Sequence, residues 1–242
     1  MKELVNGLPP KQGMYDPQYE RDACGMGFVA HIKGRKSHEI IEQALTLLFN
    51  MEHRGGQGSE PNSGDGAGLM MQIPHKFLKR ETSKLGIQLP EEGRYAVGMV
   101  FLTQDEGQRA KHEEIFASIV EQEGLRLLGW RTLATDDSML GISAKRVKPF
   151  VRQVYIERAA GLADDLAFER KLYVVRKLAE KAIRYSGIPG GDSFYFSSLS
   201  SKKVIYKGML TTEQVGQFYS ELHDPDMETA IALVHSRFST NT

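Results

Sequence analysis

The stretch Asp22-Ala23-Cys24-Gly25-Met26-Gly27-Phe28-Val29-Ala30 decides how this chain reads. From Phe28 to Ile32 it is mostly apolar and includes β-branched residues, which predicts the start of a buried strand, residues 25–32. Before Cys24 the chain is polar and aperiodic, with adjacent prolines at Pro9 and Pro10, and reads as an irregular arm. Cys24 is the only cysteine and stands at the seam between the two. Two readings fit it. One is a structural cysteine at a strand edge. The other is a nucleophile exposed when the arm is cut away, so that the α-amine and the thiol belong to one residue. A terminal amine titrates near about 7.7–8.0, so at neutral pH part of it is free base and can take the thiol proton. The thiolate is the reactive form, and acyl transfer through it needs no histidine. Gly25 and Gly27 leave room for other backbone to approach.

Composition narrows the classes. The 242 residues are 40% hydrophobic and 26% charged, ordinary for a globular protein. With 31 basic and 31 acidic residues the net charge is zero, which argues against nucleic acid and anionic membrane as partners. A single cysteine excludes an intramolecular disulfide and a multi-cysteine metal or cluster site within the chain. No apolar run reaches the ~18 residues of a transmembrane helix, and the leader has no secretory apolar segment, so a cytoplasmic location is expected.

Outward from Cys24, Ser37 is placed to cap a helix whose inner face carries Ile40, Ile41, Ala44, Leu45, Leu48 and Met51. Glycines stop it at Glu52-His53-Arg54-Gly55-Gly56. The glycine-rich run from Gln57 to Gly68 enters a strand over 69–73 and not a helix N-terminus, so it reads as a loop over a pocket or a plain connector before a phosphate cradle. A short helix over 74–85, a buried strand over 95–103, a charged helix over 105–123 with Ile115, Ile119 and Val120 inward, and a strand over 125–133 follow. A strand over 150–157 precedes a long helix over 164–186, with Leu166, Leu172, Val175, Leu178 and Ile183 as its core side. Strands over 193–199 and 203–208, a helix from Thr211 to about Leu222 and a strand over 229–235 complete the pattern. The elements mix without a βαβ repeat, which predicts stacked sheets with helices outside. At the end of the last strand, Arg237 can grip a carboxylate with two parallel hydrogen bonds, with Ser239 and Thr240 adding hydroxyls; a solvated or salt-bridged arginine is the alternative.

Four stretches, taken in order, resemble the class II glutamine amidotransferases, and within them the glutaminase part of the glutamate synthases. They are Glu20 to Gly27, Met51-Glu52-His53-Arg54-Gly55-Gly56, Gly64-Asp65-Gly66-Ala67-Gly68, and His235 to Thr242. The resemblance covers essentially the whole chain. It implies an α+β fold, the N-terminal-nucleophile αββα sandwich of two mainly antiparallel sheets flanked by helices. It implies residues 1–23 as a propeptide-like leader and 24–242 as the N-terminal portion of the amidotransferase domain. It further implies that Cys24 attacks the side-chain amide of L-glutamine through a glutamyl thioester, that Arg237 and Thr240 hold the α-carboxylate, and that Arg54 and Gly55 line the nucleophile pocket, with no metal. In such enzymes ammonia passes to downstream synthase domains of the same subunit, where it meets 2-oxoglutarate. FMN and an iron–sulfur cluster there, and an NADPH-oxidising small subunit or ferredoxin, supply electrons. The family's His-Asn-Gly-Glu oxyanion motif and a later aspartate are not among these 242 residues, so slow turnover by the chain as given is expected; one lost oxyanion donor typically costs about 10²–10³ in rate. Two other functions stay open at this point: another N-terminal-nucleophile amidase, which needs Cys24 but not the Arg237 grip, and a non-catalytic docking module.

Overall fold

In the computed structural model the described residues are 11–14, 16, 25–57, 60, 62–162 and 164–237. Cys24 and Thr240, and most of the leader, lie outside them. Eight strands form two four-stranded antiparallel sheets. The first, in the order β1 (Gly25–Ala30), β8 (Ile231–Ser236), β2 (Ala67–Gln72), β7 (Lys203–Gly208), contains both ends of the described fold. The second runs β4 (Arg126–Thr132), β5 (Phe150–Glu157), β3 (Tyr95–Leu102), β6 (Tyr195–Ser200).

Alternation along the strands sorts the side chains into two cores. Leu69, Met71, Val204, Tyr206, Ala232 and Val234 of the first sheet meet Tyr95, Val97, Met99 and Tyr155 of the second, with Ile41, Ala44 and Leu48 of α1 (Glu39–Asn50) closing the cluster. Here Gly27 gives Leu47 its room: a Cβ on it would stand 2.7 Å from Leu47 Cδ2, so a larger residue would make that side chain of α1 shift. The other face of the second sheet packs Ala96, Val100, Val154, Ile156 and Phe196 against Phe116 and Val120 of α3 (Glu106–Gln122) and Leu172 and Val175 of α5 (Asp165–Ala179). Asp105 and Asp164 cap these two helices, each accepting a backbone N–H three residues on, at 2.8 and 2.7 Å.

Every long element expected from the sequence is present, with corrections. Ser37 does not cap α1: its backbone pairs with Thr229, His38 takes the cap position, and no side chain bonds there. Leu166 and Leu178, expected inward on the long helix, are 57% and 39% exposed; Phe168 and Ala179 are buried instead. The α-helix stops at Ala179 and passes into a π-turn, Glu180–Arg184, with Ile183 buried, as expected. The first strand ends at Ala30, two residues early. Nor is it the buried strand expected: it alternates, and one face carries Met26 and Phe28, each 66% exposed. A short helix, α4 (Ile142–Val147), was not anticipated; its six residues bury nothing and carry no apolar period to read. The expected helix after Thr211 is α6 (Gln214–Phe218) followed by a 3₁₀ turn, Ser220–His223.

Candidate active site

The site is built where the first residue of β1 meets the last residue of β8. Gly25, which follows Cys24 in the chain, is paired with Ser236, which precedes Arg237. Ala67 at the start of β2 is paired with Ser236 from the other side. One end of the first sheet thus gathers the chain on either side of the two residues that the sequence singled out.

The turn after α1 closes over this end. Leu48 and Met51 carbonyls accept the N–H groups that wind Glu52–Arg54 into a 3₁₀ turn. That places Arg54 over Gly25: a Cβ at Gly25 would lie 2.9 Å from Arg54 Cβ and 3.4 Å from Met51 Sδ. Gly55 sits against Ser236, whose Oγ would be 3.1 Å from a Cβ at position 55. Ser236 itself is buried, 1% exposed. The two glycines let a side chain and a hydroxyl approach the sheet end at contact distance, the use of glycine expected near a reacting centre.

Arg237 leaves β8 with φ of +78°, the one non-glycine residue with positive φ among the described residues. A side chain in the left-handed region costs of order 1 kcal/mol. Its backbone is fixed there by Arg237 N–H donating to Gly66 O at 2.7 Å. The guanidinium Nε is 3.8 Å from Asp65 Oδ2, with both side chains partly exposed. A pair this long and this wet is weak. Asp65 is tied to the same frame by its N–H, which donates to Gly56 O at 2.9 Å.

A cavity of about 420 Å³ opens beside these residues, lined by Gly55, Gly56, Gln57, Gly66, Ser236 and Leu210 to Thr212, with Arg54 and Arg237 next to it in the chain and not in its lining. Its size suits a small molecule. Thr212 Oγ1 on this wall is buried and has no hydrogen-bond partner. Next to the site, His235 is held below its usual range, by burial first and by Lys207 second, so its imidazole is neutral at pH 7.

Of the residues the sequence singled out, Arg54, Gly55 and Arg237 are therefore brought to one end of one sheet, around the neighbours of Cys24. Ser236, Asp65 and Thr212 were not anticipated as site residues. The first two sit inside motifs quoted for the resemblance and were legible only as their flanks; nothing in the sequence marks Thr212. Gly64 was also more than a loop residue. A Cβ there would stand 2.2 Å from Leu210 C, so Gly64→Ala is expected to push the loop off its seat and to lower stability by about 1–3 kcal/mol, as for other overpacked sites, read by thermal denaturation.

Two antiparallel sheets flanked by helices, with one sheet end beside a glycine-walled cavity, define the class. Residues 24–242 match the model of the class-II glutamine amidotransferases, and the chain belongs to that family. Among its relatives it is 52% identical over 237 residues to the glutamate synthase [NADPH] large chain of Bacillus subtilis, covering 98% of this chain and 15% of that protein. It is 41% identical over 251 residues to the glutamate synthase [NADH] of Saccharomyces cerevisiae, covering 100% of this chain and 11% of the relative. It is 42% identical over 224 residues to the chloroplastic ferredoxin-dependent glutamate synthase of rice, covering 92% and 14%. The chain therefore spans a small part of the length of these relatives. Among the described residues no helix is long and apolar enough to cross a membrane.

Proposed function

We propose that this chain is the glutaminase part of a glutamate synthase, and that it hydrolyses L-glutamine to glutamate and ammonia through Cys24. The observation that carries the reading is the pairing of Gly25 with Ser236, under Arg54 and Gly55. It brings the flanks of a unique cysteine and of a strained arginine to the same sheet end.

In this reading residues 1–23 are removed, leaving domain 24–242 with Cys24 at its head. The free amine takes the thiol proton, and the thiolate attacks the amide carbon of glutamine. The carbon–nitrogen bond breaks, ammonia leaves with the proton the amine held, and a glutamyl thioester remains. Water, deprotonated by the same amine, adds to the thioester and releases glutamate and the thiol. Arg237 and Thr240 hold the α-carboxylate, and the Asp65 contact yields to the incoming ligand. Arg54 and Gly55 line the pocket at the nucleophile.

Ammonia is then consumed by a reductive synthase reaction on 2-oxoglutarate elsewhere in the parent enzyme. An iron–sulfur cluster needs several thiolates, and this chain has one cysteine, so no cluster is assigned to it; FMN goes with the cluster. Those groups, and an NADPH-oxidising small subunit, belong to the rest of the parent enzyme, and the cytoplasm is the location proposed. The test is covalent labelling of the native protein with an electrophilic diazoketone analogue of L-glutamine. Labelling at Cys24 that free L-glutamine blocks is expected; labelling that glutamine leaves unchanged assigns the site to another amidase substrate.

A further inference from the structure

The loop from Gly55 to Gly66 begins and ends at the candidate site, and its far side is clipped to a different part of the molecule. Near its base, Gln57 and Gly64 form an isolated bridge. At its tip the Glu60 carboxylate accepts Ile142 N–H at 2.8 Å, Ser143 N–H at 3.2 Å and the Ser143 hydroxyl, at the start of α4. These donors, the Ser143 hydroxyl above all, hold the Glu60 carboxyl below the usual carboxylate range against the opposing effect of burial. Gly141 is shaped to this contact: a Cβ on it would stand 2.2 Å from Glu60 Oε2.

Asn62 O accepts Gly141 N–H at 3.2 Å and Gln214 Nε2 at 3.0 Å. Gln214, 5% exposed, also donates to Met139 O at 3.3 Å, and its Oε1 accepts Thr211 N–H at 2.9 Å while its own N–H reaches Thr211 Oγ1 at 3.4 Å. This is the reciprocal Thr-x-x-Gln cap, here with a third bond sent across to the loop. Gln214 thus joins the loop tip, the 139–141 segment and the Thr211–Thr212 wall of the cavity. α4 buries none of its residues fully and only its Ala144 packs against the first core, so the Glu60 contact adds little to either core; what it holds is the loop.

We propose that Glu60 and Gln214 are positioning residues for the substrate cavity, fixing the loop tip so that Gly55, Gly66 and the Thr211–Thr212 wall stay at the spacing glutamine requires. The proposal rests on the glutaminase reading of the site. Both residues act through the loop and touch no substrate.

The test is the rate of inactivation of the native protein by the diazoketone analogue of glutamine, resolved into its saturating rate and half-saturating concentration. Glu60→Ala and Gln214→Ala are expected to raise the half-saturating concentration about tenfold or more, the scale of losing hydrogen bonds to a charged group or a fully satisfied amide, with the saturating rate changed less than about threefold. Glu60→Gln, which keeps an acceptor, falls between. Arg80→Ala, which breaks a remote ion-pair cluster with Asp224 and Asp226, leaves both parameters unchanged. Wild-type values of the half-saturating concentration in Glu60→Ala and Gln214→Ala overturn the proposal while the glutaminase reading stands. A global loss of the thermal transition in both variants also counts against it, since contacts that hold only a loop leave the cores intact. If the wild-type protein is not labelled at Cys24, the glutaminase reading fails, and the proposal with it.

Discussion

Cys24→Ala is expected to lower glutamine hydrolysis by the native protein at least about 10³-fold, because the group that forms the covalent intermediate is removed and the chain holds no second thiol to replace it. Cys24→Ser should also be slow: a hydroxyl is a far weaker acid than a thiol, so it is less nucleophilic in a site fitted to a thiolate even with the terminal amine as its base. From Gly25 onward β1 and β8 are joined through the backbone, which neither substitution changes, so the thermal transition of both variants should match that of the wild type. Steady-state kinetics with glutamine, beside circular dichroism on heating, checks both statements. Hydrolysis above about a tenth of wild type in Cys24→Ala would move the nucleophile elsewhere.

The second large effect concerns stability. Arg131 on β4 and Glu221 form an ion pair at 2.5 Å, with side chains only 10% and 7% exposed. Arg131 Nη1 also donates to Gln153 Oε1 at 2.8 Å, Tyr155 donates to the same oxygen at 2.7 Å, and Tyr206 on β7 donates to Glu221 at 2.7 Å. The network therefore spans both sheets. Burial pushes the Tyr155 and Tyr206 hydroxyls well above their ordinary range, so they serve as donors throughout the working pH range. Arg131→Met leaves the Glu221 carboxylate buried without its cation, a change that costs about 3–5 kcal/mol. At about 2–4 °C per kcal/mol for a chain of this size, the melting temperature should fall by roughly 10 °C. Adding Glu221→Gln should restore part of the loss, because the buried charge goes with it. A single variant that melts within about 2 °C of wild type would show that the pair is not desolvated in solution.

How much of this was legible in the sequence follows from what each feature rests on. The strand at Phe28, the face of α1 and the strand over 95–102 rest on local period and were readable. Leu166 and Leu178 were misplaced because they lie off the i, i+4, i+7, i+11 stripe of Phe168, Leu172, Val175 and Ala179 that α5 buries, a phase that a set of apolar residues picked by type alone does not follow. Ser37 met the chemistry of a cap but was drawn instead into backbone pairing with Thr229, 192 positions later, a contact no window around Ser37 contains. At the site, Cys24, Arg54, Gly55 and Arg237 stood out by residue type and motif. Their convergence depends on the β1–β8 register, which is long-range. Ser236, Asp65 and Glu60 act through contacts made only once the sheet end is assembled, so their residue types carried no signal. Gln214 carried one: three residues after Thr211, it completes the Thr-x-x-Gln cap.

The account depends on Cys24 owning a free amine. Identification of the first residue of the protein isolated from its native host, by intact mass and terminal sequencing, tests this directly. Cys24 as the first residue, with residues 1–23 gone, is the predicted result. A protein that hydrolyses glutamine while still carrying any of those residues on the Cys24 nitrogen would contradict it.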